Sequence, residues 1–89
     1  MIRTLANHPY ANAHIESNEY NGVTLYSYST PVVNISWSGW VKVNGLYSMT
    51  TRKHISYFMR EFDLSYQLAK ELYEKNLKYN IYTGEITGV

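Results

Sequence analysis

An α+β domain is expected from this chain: an antiparallel meander of three or four strands over roughly 23–48, then two helices over roughly 51–62 and 65–78 packed on one of its faces, with an optional C-terminal edge strand. Two observations lead there. Up to residue 48 the apolar and β-branched residues come in short runs separated by Gly, Pro and Asn, whereas from Thr51 onward they recur at intervals of three and four. With 89 residues, 45% of them hydrophobic and only 17% charged, there is material for one core and too little chain for a deep two-lobed active site.

Residues 1–12, small and polar and containing His8-Pro9, read as an irregular N-terminal arm, and 13–89 as a single domain. Residues 13–17 suggest a short edge strand and 18–22 a turn. The run 23–28 is β-rich in composition, and Pro31 marks the start of a strand over 31–37, where its missing N–H does least harm. Ser38-Gly39 is expected as a two-residue turn that sets Trp37 across from Trp40. Asn44-Gly45, the strongest short hairpin signal in the chain, is expected to join strands over 40–43 and 46–48.

Ile55, Phe58, Met59 and Phe62 fall at i, i+3, i+4 and i+7, one stripe of a helix that must face the sheet. Asp63-Leu64-Ser65 interrupts the pattern with cap-forming residues. Leu64, Leu68, Ala69 and Leu72 then define the second helix, with Glu71 and Lys75 paired at i, i+4 on its outer side. The tail from Asn80 has β-like composition broken by Gly84.

Composition excludes several function classes. The absence of Cys removes disulfides, thiol nucleophiles and Cys-ligated zinc, and points to the cytoplasm. The N-terminus lacks the apolar run of a signal peptide, and no stretch approaches the length of a membrane span, so no membrane partner is expected. His8, His14 and His54 lack metal-ligand spacing, and the five scattered Gly residues form no phosphate-cradling run. His54 near Ser48 or Ser56 suggests a base and a nucleophile, but nothing resembles a nucleophile elbow; neither enzyme activity nor any cofactor is expected.

The formal charge is only +1, so a nucleic-acid role must rest on a local patch. Residues 47–55 offer one: a strand-like segment ends at hydroxyl-bearing residues and a helix begins with three cations in its first turns. Ser48, Thr50 and Thr51 are candidate helix caps and equally candidate anion ligands, since a helix start presents unpaired N–H groups. Lys53, Tyr57 and Arg60 cluster on the face opposite Ile55 and Phe62, with Arg52 and His54 at the flanks, a pattern suited to phosphates and a stacked base but also to any solvated helix face. A helix-turn-helix reading, with Tyr66, Gln67 and Lys70 reaching bases, ranks low because Glu71 and Glu74 sit beside Lys70 and Lys75. A second surface is the aromatic set Tyr26, Tyr28, Trp37, Trp40 and Tyr47. Helices cover one side of a sheet, and aromatics left on the other suit protein contact or homodimerisation.

The stretches 26–33, 40–44 and 47–54 resemble small uncharacterised proteins from bacteriophages and their bacterial hosts. The shared pattern is SYxTxV, here Ser27 to Val32, followed by YSxTTxxH, here Tyr47 to His54. The resemblance covers about the middle third of the chain. It implies a phage or mobile-element origin, hence the host cytosol, and carries no catalytic residues. Small accessory proteins of that kind act stoichiometrically. The leading expectation is therefore a non-enzymatic module binding DNA or RNA through the basic and aromatic helix face. Narrowly behind it stands a protein-binding inhibitor of a host or defence protein, anti-CRISPR-like, acting through the exposed aromatic sheet face.

Overall fold

The computed structural model describes residues 1–6 and 11–89; His8 and Pro9 lie outside the described residues. It is an α+β arrangement with seven antiparallel strands in one sheet, in chain order across it, and two helices packed on one face. Strand β1 is Ile2–Arg3, β2 Ala13–Asn18, β3 Gly22–Ser27, β4 Thr30–Ile35 and β5 Trp40–Val43. Helices α1 (Met49–Glu61) and α2 (Tyr66–Glu74) follow, and β6 (Leu77–Asn80) and β7 (Ile86–Gly88) complete the sheet.

Cross-strand pairs place side chains of one sign of the pleat together. Ile15, Leu25, Val33 and Val43 stand abreast on one face, beside Ile35 and Val41. All are buried, and the helices bring Ile55, Phe58, Met59, Ala69 and Leu72 onto them. The other face carries Glu16, Thr24, Asn34 and Lys42, none of them buried. At Leu25/Tyr26 the β3–β4 register slips, and Val32, the extra residue on β4, is turned fully into the core.

The strand count exceeds the expected three or four at both ends. Ile2–Arg3 pairs with β2, and Leu5 is buried, so the start of the segment read as an arm is tied to the sheet. Glu61 fixes it further: its carboxylate accepts from the Ala6 N–H at 2.8 Å and pairs with Arg3 at 2.9 Å. At the other end, the expected strand over 46–48 does not form. Leu46 turns into the core and Ser48 caps α1, so Asn44-Gly45 begins a departure from the sheet instead of a hairpin. That leaves the edge of β5 unpaired, and β6 takes it through Trp40↔Asn80 and Val41↔Tyr79. Helix α2 accordingly ends at Glu74, short of the expected 78, with Asn76 in the left-handed region (φ 54°) to turn the chain back.

Two turns also differ. The connection between β4 and β5 spans 36–39, with Gly39 N–H donating to the Ser36 carbonyl, so Trp37 lies in the turn and does not face Trp40. Gly39 adopts φ 96°, and an added Cβ there would strike the Tyr82 ring. Tyr28 and Ser29 form the β3–β4 loop with φ of 52° and 69°, the double left-handed conformation of a two-residue hairpin that Asn-Gly usually supplies.

Helix boundaries follow from caps. Ser48 Oγ accepts from the Thr51 N–H and Ser65 Oγ from the Leu68 N–H. Between the helices, the Leu64 N–H reaches the Met59 carbonyl at 2.8 Å and the Asp63 N–H that of Arg60 at 3.1 Å, a Schellman ending with Asp63 at φ 57°.

Candidate functional site

The β3–β4 hairpin and the first turns of α1 meet in a buried polar cluster. Ser27 Oγ lies 2.9 Å from Thr51 Oγ1 and 2.8 Å from His54 Nδ1, and Ser48 Oγ donates to Thr51 Oγ1 at 3.3 Å. Ser27, Thr51 and His54 are 2%, 3% and 0% exposed. The Tyr28 ring, held over the cluster by the left-handed turn, sits 5.9 Å from that of His54. Burial lowers the His54 pKa below the ordinary imidazole value, which favours the neutral ring. The serines weighed beside His54 in the sequence are Ser48 and Ser56; the hydroxyl found on its Nδ1 is that of Ser27, which is distant in sequence. That hydroxyl is sealed from solvent.

On its outer side α1 presents different chemistry. Met49, Arg52, Lys53 and Ser56, with Tyr66 at the start of α2, line an open cleft of about 310 Å³. Met49 is 75% exposed, Arg52 and Lys53 are exposed, and Tyr66 is partly buried against the core. Arg52 donates through Nε to the Leu46 carbonyl at 3.3 Å, which fixes its stem and leaves its terminal nitrogens facing other acceptors. Arg60 lies 5.4 Å over the Tyr57 ring. Among the described residues, Arg52, Lys53 and Arg60 make no ion pair, and the first turn of α1 contains no acid. Arg52 and Lys53 lie near the positive end of the helix, whereas Arg60 is in its last turn.

The sequence candidates thus separate. Arg52 and Lys53 share the cleft, with Tyr57 and Arg60 further along the same helix; Ser48 is the cap, Thr50 is half-buried and Thr51 points inward. The aromatic candidates are dispersed. Tyr26 stacks on His14 with ring centroids 4.9 Å apart, and Trp40 lies half-buried under Lys78, whose Nζ is 4.5 Å from the ring centre. The Tyr26 pKa is raised, first by burial and then by its hydrogen bond to Glu16 and that residue's charge. Trp37, 53% exposed, donates from its indole nitrogen to the Asn18 carbonyl at 2.7 Å. Tyr28 and Tyr47 are exposed outside the strands.

Sequence reasoning missed Met49 and Ser56 as cleft residues, although 49, 53, 56 and 60 share one helical face. Tyr66 figures only as a base contact in the helix-turn-helix reading, because its place in the cleft with Lys53 depends on the turn between the helices. No helix among the described residues is long and apolar enough to cross a membrane.

The two sequence patterns, 27–32 and 47–54, are therefore two sides of one contact, and a family model matches the chain across both, over residues 3–82. The chain belongs to the family of unknown function DUF8033. That span takes in β2 through β6 and both helices, so the DUF8033 unit contains the buried cluster and the cleft whole. No curated protein and no solved structure matches this chain.

Proposed function

We propose that this DUF8033 chain is a non-enzymatic accessory protein, of phage or mobile-element origin, that binds nucleic acid in the host cytosol through the outer side of α1. The observation that carries the reading is the cleft at Arg52 and Lys53, cationic, concave and without an acidic partner among the described residues, on a helix whose first turn has no acid. Cations that already have carboxylate partners gain little from a phosphate; these have none among the described residues. The contact between Ser27 and His54 is sealed in the core, which favours binding over catalysis.

The test is a fluorescence-anisotropy titration against labelled DNA and RNA at about 50 and 200 mM salt. Micromolar or tighter binding that weakens with salt, and that Lys53→Ala with Arg60→Ala reduces, is the expected result. Absence of binding at the lower salt retires the reading.

A second reading, inhibition of a host or defence protein, is favoured by the exposed indole of Trp37, held rigid by its bond to Asn18. It places the contact at the turn between β4 and β5 and not on the strand face, where Trp40 is covered by Lys78. Under this reading a partner captured from host lysate is lost with Trp37→Ala and kept with the cation variants.

A further inference from the structure

We infer that the cleft between α1 and α2 takes a base of a single strand, DNA or RNA, and discriminates against duplex; this rests on the nucleic-acid reading above. The first argument is the lining. A phosphate alone needs cations and N–H groups, but this cleft adds Met49, the Tyr66 ring and the methylene stems of Arg52 and Lys53. Its volume of about 310 Å³ is at the small end of ligand pockets, which begin at roughly 300 Å³. An open, largely apolar hollow of this size beside two cations gives a splayed base a surface to lie on with its phosphate outside. A duplex keeps its base faces stacked within and offers only edges and phosphate ridges, so it has no base face to lay there.

The second argument is charge spacing. From Arg52 to Arg60 is about 12 Å of helix axis. A duplex presents a charge every ~1.7 Å, about seven over that distance, whereas a single strand has the lower charge density. Three cations, without acid partners among the described residues, are fewer than the charges a duplex presents over that length and suit the sparser strand better. With a net charge of +1 there is no wider field to make up the difference.

The experiment compares fluorescein-labelled homopolymer DNA and RNA of about 12 nucleotides, within the usual site size for such grooves, with a DNA duplex of the same length, using the full chain. Single strands are expected to bind at least tenfold tighter than duplex, with a log–log salt slope near −2, as three phosphate contacts require. Tyr66→Ala should weaken single-strand binding roughly tenfold, as the loss of one stacked base does, and Tyr66→Phe should not. Because Tyr66 also touches the core, Met49→Glu is the firmer variant. Met49 is exposed, and an acid at the first helical position suits the helix end, so the fold is kept while the cleft turns acidic. It should lose at least tenfold in affinity. Duplex binding as tight as single-strand binding, or a folded Met49→Glu protein that binds as before, overturns the inference and leaves the nucleic-acid reading standing. If no nucleic acid binds, that reading falls first.

Discussion

On the inner side of α1, Thr51 and His54 are buried against Ser27 of β3; on its outer side, the adjacent Arg52 and Lys53 stand in solvent beside an open cleft. The inner residues have defined partners at hydrogen-bonding distance and the outer cations have no ion partner among the described residues. A helix whose inner side is locked by a buried polar cluster holds its outer side in a fixed place. Neighbouring residues in one motif can therefore differ in kind, some holding the fold and others meeting a ligand, and the sequence pattern alone does not separate them.

Substitutions can break that division or sharpen it. The largest effect is expected from His54→Ala, which leaves a cavity and strips Ser27 of a partner; a loss of about 3 kcal/mol in urea-unfolding stability should result. A change of under ~0.5 kcal/mol would mean that the cluster does not hold the helix. Ser27→Ala removes the hydroxyl shared by Thr51 and His54 and should cost about 1–2 kcal/mol by the same measurement.

The same cluster predicts a pH dependence. The folded state depresses the His54 pKa, so below about pH 6.5 the unfolded chain binds more protons than the folded one. Stability contributed by the neutral ring is full above that pH and declines as pH falls toward the lowered folded value. Thermal melts from pH 7.5 to 5 should show this decline, and His54→Gln should flatten it.

Ser29→Gly relieves a left-handed residue in the hairpin loop and should raise stability by about 1 kcal/mol with no change in the cluster. The smallest effect is expected outside. Lys53→Gln with Arg60→Gln should shift unfolding by less than ~0.5 kcal/mol, because neither side chain is buried or ion-paired among the described residues. A larger destabilisation would place these cations in the fold and weaken their case as ligand-binding groups.

The sequence by itself determined what is local. Ile55, Phe58, Met59 and Phe62 define a helical stripe by spacing alone, Ser48 and Ser65 stop or start elements through their own hydroxyls, and the charges of Lys53 and Arg60 fall opposite the apolar stripe. Tertiary structure decided what depends on distant partners. The Asn44-Gly45 signal yields no hairpin because Leu46 gains more by entering the core, and β6 forms where α2 was expected to continue because β5 has an open edge. Ser27 meets Thr51 and His54 across separations of 24 and 27 residues, and Tyr66 faces Lys53 only through the turn between the helices. Periodicity and capping act within a few residues along the chain, whereas strand edges, buried hydrogen bonds and clefts are fixed by which surfaces are left over once the core has closed.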